Sequence, residues 1–574
     1  MVDTKSALEI RLQSAFDTVE VGADPVLRPS DHADFQANGV LGLAKRLGRP
    51  PRELADQIVA AASLDDLCQT VEVSGPGFIN LTLSPSFIAT QLATLAADGR
   101  LGVGRAEPET VVVDYSSPNV AKEMHVGHLR GTVIGDALCR MLTFVGHDVR
   151  RENHIGDWGT PFGMLIEHLI DVGEEKAVHE LSVGDLDTFY RQARASFDED
   201  EAFAERSRRR VVLLQSMDSE ETLRLWRILV AESVHYFDEV YAKLGVLLTD
   251  EDIVGESFYN PLLSDVVDDL DDLGLLVQSD GARCVFPPGF TNRNGDPLPL
   301  IVQKSDGGYG YAATDLAALR DRVERLGATR ILYVVGAPQA QHLEMVFATA
   351  ALAGWLPDGV HVAHVTFGSV LDADRKMFRT RSGERVRLVE LLDEAVVRAE
   401  AAVAAKNPEL EPADRAAVAR MLGIGAIKYA DLSTERTRDY IFDWERMLAF
   451  EGNTAPYLQY AHARIRSIFR RGGLDVPAAD DPVVLAEPAE RALALALLGV
   501  ADAVESTLAT WSPSRLCTYL FDLATTFSSF YETCPVLKAP SDELRRSRLA
   551  LSDLTARVLA LGLGLLGIEA PDRM

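Results

Sequence analysis

The residues best suited to chemistry lie in a short segment in which two histidines, His125 and His128, flank Gly127. A β-branched run at residues 110–113 and a turn signal precede them, and apolar residues at helical spacing follow them. The pattern predicts a strand, a turn and a helix that begins at the histidines. The unpaired N–H groups at the start of a helix attract phosphate, and a glycine there lets a nucleotide approach the backbone. Imidazoles at that position can stabilise negative charge on a phosphate under in-line attack.

A His-x-Gly-His pattern alone is weakly specific, because a histidine on a half-buried turn is more often structural than catalytic. The flanking residues add specificity. The segment from Tyr115 to Leu129 resembles the HIGH signature of class I aminoacyl-tRNA synthetases. Ser-Ser-Pro-Asn-Val-Ala-Lys at 116–122 and Asn-His-Ile-Gly-Asp-Trp-Gly-Thr at 153–160 resemble arginyl-tRNA synthetases in particular. The resemblance runs through most of the chain and is weakest in the first 70 residues and in an insertion described below.

The resemblance implies a reaction in two steps. The carboxylate of arginine attacks the α-phosphate of ATP, and the 3′-terminal ribose hydroxyl of tRNA then attacks the adenylate. His125 and His128 correspond to phosphate and ribose contacts, and Gly127 corresponds to the platform for adenine. The predicted ATP contacts are Gly127, His154, Gly156, Asp157, His342 and Lys376. His154 and His342 could instead be core histidines with internal partners.

Class I synthetases carry a second phosphate signature, a flexible KMSKS loop. Residues 375–383 align with it but read Arg-Lys-Met-Phe-Arg-Thr-Arg-Ser-Gly, which is closer to a degenerate Phe-Lys-Thr-Arg-x-Gly form in some arginyl-tRNA synthetases. The second lysine is absent, and the resemblance implies that a lysine just before HIGH compensates. Lys122 is therefore the predicted phosphate contact, with Arg379 and Arg381 assisting. The alternative is a solvated basic loop.

A cationic amino-acid substrate requires carboxylates, because a guanidinium donates two parallel hydrogen bonds to one carboxylate. Asp114 ends the first predicted strand, and Asp315 lies in a segment that resembles a family motif containing tyrosine and aspartate. Asp315 could also cap the next helix, and Tyr311 could stack on the guanidinium. The predicted arginine contacts are Asp114, Ser117, Asn119, Tyr311, Asp315 and Gln339.

Metal ligation is a different interpretation of the histidines, and the sequence argues against it. His361 and His364 have a helix-like spacing but lie in a β-type run, where the period of two places them on opposite faces. The chain contains 5 cysteines without a Cys-x-x-Cys pair. We therefore predict reduced thiols and no structural metal.

Net charge argues against tight non-specific binding of nucleic acid. The chain has 57 basic and 86 acidic residues, a formal net charge of −29, and phosphate contacts require lysine and arginine. Binding nevertheless depends on local patches. Residues 455–471 form a predicted basic helix, whose predicted tRNA contacts are Tyr457, Tyr460, Arg464 and Arg466. The alternative is an ordinary helix with one charged face.

Alternating strands and helices over residues 106–385 indicate an α/β fold, a Rossmann-type doubly wound sheet with an insertion at about 160–300. Residues 1–105 are predicted as an α+β domain, which by resemblance contacts the tRNA elbow; within it, residues 75–83 alternate like the edge strand of a hairpin. A helical connecting region that contacts the stem is predicted at 386–445, and an all-α anticodon-binding domain at 446–574, in which residues 477–488 are expected to form a loop and residues 489–508 a helix. No apolar run was expected to reach membrane-spanning length, and no signal-peptide pattern begins the chain, which predicts a cytoplasmic protein.

The function predicted from the resemblance is that of an arginine–tRNA ligase. The resemblance further implies use of ATP with Mg²⁺, tRNA(Arg) and L-arginine as partners, no editing domain, a monomer, and activation of arginine only with tRNA bound. The alternatives are a class I ligase for another amino acid, a small nucleotidyltransferase, and a catalytically impaired paralogue that only binds RNA. The length of 574 residues opposes the nucleotidyltransferase. The imperfect KMSKS loop is the only support for the impaired paralogue.

Overall fold

The computed structural model describes residues 4–30, 32–174, 177, 186–376, 378, 386–473 and 483–574. Its first unit contains helices α1 Thr4–Asp17, α2 Gly39–Leu47, α3 Pro51–Ala61 and α4 Pro85–Ala97, and strands β1 Leu27–Pro29, β2 Phe35–Ala37, β3 Cys68–Ser74 and β4 Phe78–Leu83. The strands form an antiparallel sheet in the order β1-β2-β4-β3. Alternate residues of β4 are buried, as the sequence pattern predicts. The predicted strand is thus confirmed, and β4 forms a hairpin with β3; the alternative interpretation as a hairpin edge does not hold, because β4 lies between β2 and β3.

The second unit follows from residue 110. Its elements before residue 325 are β5 Thr110–Tyr115, α5 Val126–Val145, β6 Asp148–Glu152, α6 Pro161–Val172, α7 Leu186–Glu199, α8 Glu201–Gln215, α9 Glu220–Leu244, α10 Leu263–Asp272, β7 Val277–Ser279, β8 Ala282–Val285, β9 Leu300–Gln303 and α11 Tyr311–Glu324. Short 3₁₀ helices occur at Asp250–Asp252 and Glu256–Leu262. Strands β7, β8 and β9 form a small antiparallel sheet of their own.

The unit is completed by β10 Arg330–Val334, a 3₁₀ turn at Ala337–Gln339, α12 Ala340–Leu352 and β11 His361–His364. The central sheet is parallel in the order β11-β10-β5-β6, which confirms the predicted doubly wound α/β fold. The chain leaves β5 toward β6 on one side and later returns to β10 on the other side. The carboxyl ends of β5 and β10 therefore border the switch point, where ligands bind in open α/β sheets.

The remaining elements are mostly helical. They are β12 Val370–Leu371, α13 Leu388–Lys406, α14 Pro412–Leu432, β13 Tyr440–Ile441, α15 Trp444–Met447, α16 Ala455–Gly472, α17 Pro488–Leu498, α18 Val500–Thr510, α19 Ser514–Thr533 and α20 Asp542–Leu565. Strands β12 and β13 pair in parallel and join this region to the preceding unit. The loop expected at 477–488 falls largely outside the described residues.

One stretch corrects the sequence analysis in two ways. Residues 489–508 were predicted as a single helix, but the helix is interrupted at Gly499 and becomes α17 and α18. Together, within the described part of the chain, Pro488–Thr510 is long and apolar enough to meet the criteria for a membrane span, contrary to expectation. This is weak evidence for a membrane, since core helices of soluble proteins meet the same criteria. Leu493, Leu497 and Val504 of this stretch are buried in the helical region.

Candidate active site

The two histidines lie at the first turn of α5, as predicted. His125 is the N-cap residue, and its Nδ1 accepts a hydrogen bond of 3.0 Å from the backbone N–H of Gly127. Nδ1 of His128 accepts one of 3.1 Å from the backbone N–H of His125, and the ring centroids are 4.1 Å apart. Because Nδ1 is the acceptor in both rings, the neutral imidazoles carry their protons on Nε2. The turn therefore holds two Nε2–H donors side by side at the positive end of a helix.

Gly127 has a specific steric reason to be glycine. A Cβ at this position would lie 2.7 Å from Cε1 and 2.8 Å from Nδ1 of His125. Any side chain there would displace the His125 ring and break its hydrogen bond to the turn. The glycine is exposed, so its backbone is open to a ligand.

The loop after β5 is hydrogen-bonded to the segment at the end of β6, and two of its residues have strained backbone angles. Ser116 and Ser117 have φ of 76° and 47°, which side-chain-bearing residues rarely adopt. The Ser117 N–H donates to Oδ1 of Asn153 at 3.0 Å. Asn119 pairs with Gly156, where an added Cβ would lie 2.4 Å from Oδ1 of Asn119. The exposed Asn119 side chain is thus seated over Gly156, which explains the glycine at position 156.

Asp114 was predicted to bind the substrate guanidinium, but a residue of this chain already occupies its carboxylate. Oδ2 accepts from Nη2 of Arg322 at 2.8 Å, and Oδ1 accepts from Oγ of Ser117 at 3.1 Å. Arg322 is fully buried and also donates to Glu152 at 2.6 Å. This arrangement favours a positioning role for Asp114, which orients Ser117 at the end of β5.

Asp315 contacts the segment that follows β10, the second strand at the switch point. It lies in the second turn of α11, and Gly310 holds the N-cap position, so the capping alternative is wrong. Oδ2 of Asp315 is 2.5 Å from Nε2 of His342 at the start of α12. This hydrogen bond raises the pKa of His342 above its usual value. Tyr311 lies one turn before Asp315 and is 76 % exposed, so both side chains are available on one helix face.

Glu256 is a residue that the sequence analysis missed. It opens the 3₁₀ helix Glu256–Leu262, and burial together with the charges of Asp157 and Asp315 raises its pKa to about 8. A half-buried carboxyl group beside Asp315 is suited to a cation, since a positive ligand would restore its ionised form. No local motif marks Glu256, because its neighbours come from segments about 60 to 100 residues away in the sequence.

Asp157 positions this carboxyl rather than facing the crevice. It is 4 % exposed and accepts hydrogen bonds from the N–H and hydroxyl of Ser257 at 2.8 and 2.6 Å. Burial raises its pKa. His154 has an internal partner as well, since its Nδ1 is 3.1 Å from the carbonyl of Val254. Both residues hold the segment that carries Glu256.

The remaining predicted residues of the crevice are exposed. Gln339 follows β10. Nζ of Lys122 is 4.6 Å from the ring centroid of Tyr190. Lys376 forms a tight turn with Asp372, with backbone N–H contacts of 2.9 and 2.8 Å. Arg379 and Arg381 lie outside the described residues.

The four predicted RNA contacts on α16 do not share one surface. Tyr457 packs beside Phe521, and the guanidinium of Arg464 lies 4.3 Å above the ring of Tyr531. Tyr460 instead contacts Lys406 in the helical connecting region. Arg466 is engaged in an ion pair of 2.8 Å with Asp553. Tyr457, Arg464, Phe521 and Tyr531 therefore form half-exposed aromatic and basic contacts between α16 and α19.

Within the described ranges, no group of three or more His, Cys, Asp or Glu side chains is placed to hold a metal ion. Nε2 of His364 donates to the carbonyl of Val335 at 2.8 Å, while His361 is exposed. The five cysteines are free and buried.

Comparison with known proteins matches this architecture along the chain. Three family models match: the arginyl-tRNA synthetase N-terminal domain at residues 4–83, the catalytic domain of class I (R) tRNA synthetases at 91–444, and the DALR anticodon-binding domain at 458–574. The arginine–tRNA ligase of Thermobifida fusca is 58 % identical over the full length of both chains. That of Frankia casuarinae is 51 % identical over 99 % of this chain and 98 % of the relative.

Solved structures give the same result. The arginyl-tRNA synthetase of Plasmodium falciparum superposes with a TM-score of 0.86 at 30 % identity, and all of both chains is covered. The enzyme of Thermus thermophilus superposes with a TM-score of 0.81 at 27 % identity, covering 99 % of this chain and 100 % of that one. The chain belongs to the arginyl-tRNA synthetase family.

Proposed function

We propose that this chain is an arginine–tRNA ligase, which activates L-arginine with ATP and transfers it to the 3′ end of tRNA(Arg). The observation that carries the proposal is that two features of opposite charge follow adjacent parallel strands. The Nε2–H donors of His125 and His128 lie at the start of α5, which follows β5, while Asp315 is bonded to His342 at the start of α12, which follows β10, and Asp315 also influences the charge of Glu256. The first feature suits a nucleotide phosphate and the second suits a guanidinium.

In the first step, a carboxylate oxygen of arginine attacks the α-phosphate of ATP, and pyrophosphate leaves. Such phosphoryl chemistry depends on positioning and on charge stabilisation, with little covalent help from the protein. The imidazoles of His125 and His128 donate to the phosphate oxygens, and Lys122 and Lys376 add positive charge. Arg379 and Arg381, which follow Lys376 in the sequence, would assist. Gly127 presents exposed backbone to the nucleotide, Gly156 seats the side chain of Asn119, and His154 and Asp157 hold the neighbouring segment in place.

Arginine binds with its guanidinium between Asp315, Glu256 and Tyr311. Asn119 and Gln339 are exposed at the two strand ends of the crevice, where they can contact the α-amino and carboxylate groups. Ser117 adds a hydroxyl that Asp114 orients. His342 is held by Asp315 and lies between the amino-acid and nucleotide sides.

In the second step, a ribose hydroxyl of the tRNA terminus attacks the carbonyl carbon of the adenylate, and AMP leaves. The aromatic and basic face of Tyr457, Arg464, Phe521 and Tyr531 would stack anticodon bases. Residues 446–574 then form the anticodon-binding domain, 386–445 a connecting region that contacts the stem, and 1–105 a domain for the tRNA elbow. Residues 106–385 form the catalytic domain, with the insertion at about 160–300.

Mg²⁺ would enter as a complex with ATP. The described residues offer no cluster of three ligands for a metal of the protein's own, and Mg²⁺ commonly keeps water and substrate phosphates as its ligands. The ion would neutralise phosphate charge, while the chain positions the phosphates through its histidines and lysines. We further propose a monomeric, cytoplasmic enzyme, in which Pro488–Thr510 belongs to the helical domain and crosses no membrane.

The activity is tested by exchange of pyrophosphate into ATP, measured with each of the twenty amino acids in the presence and absence of tRNA(Arg). Exchange with arginine alone supports the proposal, and a strict need for tRNA supports RNA-dependent activation. Exchange with a different amino acid contradicts the assigned substrate. Binding of tRNA without any exchange would favour the impaired paralogue, an alternative that the full-length similarity to arginine–tRNA ligases does not favour.

A further inference from the structure

Two buried ion pairs join α5, the helix that begins at His125, to α14 of the connecting region. Nε of Arg130 lies 3.2 Å from Oδ1 of Asp431, and Nζ of Lys428 lies 3.8 Å from Oδ2 of Asp136. All four side chains are 0–1 % exposed. The pairs have opposite polarity: α5 supplies the cation in one and the anion in the other. Since buried ion pairs often stabilise a fold no better than apolar residues would, their presence calls for a further explanation.

The two pairs differ in what else they contact. Arg130 lies two residues after His128, and its Nη1 donates to the carbonyl of Arg438 at 2.7 Å. Its guanidinium also lies 5.4 Å from the ring centroid of Tyr440. By contrast, Lys428 donates to the carbonyl of Leu244 at 3.1 Å, at the end of α9. Only the first pair therefore connects the histidine turn with β13.

Strand β13 leads directly to the second basic segment. Tyr440 of β13 pairs in parallel with Val370 of β12. Asp372 follows β12, and its carboxylate and backbone N–H hold the turn at Lys376. A short path of direct contacts thus runs from α5 through Arg130, Tyr440 and β12 to Lys376.

We propose that Arg130 is a positioning residue that fixes the histidine turn relative to the strand pair carrying Lys376. It thereby sets the separation between the two segments that contact the phosphates of ATP. This inference rests on the proposed function, because it requires that both segments bind the same nucleotide. Lys428 and Asp136 join the same two helices without this link, so they provide a matched control.

The test compares Arg130→Lys with Lys428→Met in the full-length enzyme. Arg130→Lys keeps a positive charge beside Asp431 but lacks the planar fork that also reaches the carbonyl of Arg438. Lys428→Met leaves Asp136 with two partners, Arg140 and the backbone N–H of Leu247. We expect Arg130→Lys to lower kcat/KM for ATP roughly 10- to 100-fold, within the range for a small misplacement of reacting groups. In Arg130→Lys, KM for arginine should stay close to the wild-type value. In Lys428→Met, all kinetic constants should stay close to those of the wild type.

Equal losses in the two variants, or a normal kcat/KM for ATP in Arg130→Lys, would overturn the proposal and leave Arg130 as a packing residue. If Arg130→Lys does not fold, the double replacement Arg130→Met with Asp431→Leu removes both buried charges and takes its place. A selective loss of kcat/KM for ATP in the double variant supports the proposal, and a normal value overturns it. Equilibrium binding of ATP is measured in parallel. If the wild type shows no exchange, the proposed function fails. Weaker ATP binding by Arg130→Lys than by Lys428→Met would still support the positioning role of Arg130. Equal ATP binding by the two variants would reject that role.

Discussion

Nε2 of His342 and Oδ2 of Asp315 lie 2.5 Å apart and join the second turn of α11 to the first turn of α12. The contact orients one oxygen of the Asp315 carboxylate and leaves that side chain partly exposed. It also raises the pKa of His342, because the carboxylate favours the protonated ring. A carboxylate oriented in this way is a suitable partner for a guanidinium.

Asp315→Asn should therefore impair arginine binding selectively. A hydrogen bond to a charged group contributes about 1.5–3 kcal/mol, which corresponds to a rise in KM for arginine of roughly 10- to 100-fold. KM for ATP should change little. Asp321→Asn, on the same helix but paired with Arg325 at 2.7 Å, is the control and should leave both constants unchanged. Equal effects of Asp315→Asn on arginine and ATP would contradict its assignment.

The raised pKa of Glu256 predicts that its carboxyl group releases a proton when arginine binds. Its pKa of about 8 leaves it mostly protonated at pH 7, and the arriving guanidinium lowers that pKa by stabilising the ionised form. Affinity for arginine should then rise with pH below about 8 and level off above it. Calorimetry in buffers with different ionisation enthalpies measures the released proton. Glu256→Gln should abolish both the release and the pH dependence; release that persists in this variant would assign the proton to another group.

His128→Ala should reduce adenylate formation by roughly 10²-fold or more, within the range for a lost donor to a transition state. The fold should persist, because α5 keeps its buried apolar residues. The measurement is a single-turnover assay of adenylate formation, with unfolding temperature as the control. A near-normal rate would remove His128 from the mechanism.

Gly127→Ala tests whether the ring position of His125 matters. The new methyl group would overlap the His125 imidazole, so we expect a loss of roughly 10-fold or more in the rate of exchange, as for a small misplacement of a catalytic group. Gly42→Ala in α2 is a suitable control, because nothing lies within 4 Å of the position that an added Cβ would take. It should leave the rate unchanged. A fully active Gly127→Ala enzyme would show that the turn tolerates a displaced ring.

Local patterns were sufficient to predict the strand, turn and helix around His125, because each depends on residues close together in sequence. They were also sufficient for the parallel sheet, since alternating strands and helices allow few topologies. They failed where contacts with residues distant in the sequence determine the role of a side chain. The sequence does not show that Arg322, 208 positions away, occupies Asp114. The same limit explains why no local pattern identified Glu256. It also explains why Arg466 was predicted as an RNA contact, although it forms an ion pair with Asp553.

The break at Gly499 illustrates a different limit. The apolar pattern continues through α17 and α18, and a single glycine within it is compatible with a continuous helix. The backbone there has φ −84° and ψ 0°, and the Tyr519 ring would lie 3.4 Å from an added Cβ. Packing against α19 therefore determines where the helix ends, and no local residue type predicts it.

The stacked pair Arg464 and Tyr531 gives the last prediction, which concerns tRNA. Stacking of a base on an aromatic side chain contributes about 1–3 kcal/mol, so Tyr531→Leu should raise KM for tRNA roughly 10-fold. The tRNA-independent binding of ATP should not change, because Tyr531 lies in the helical region and not at the crevice. Phe530→Leu is the control, since Phe530 is fully buried on the same helix; it should lower the unfolding temperature without changing KM for tRNA. If Tyr531→Leu aminoacylates with normal KM, this aromatic face does not bind the anticodon, and the tRNA contacts must lie elsewhere on the helical region.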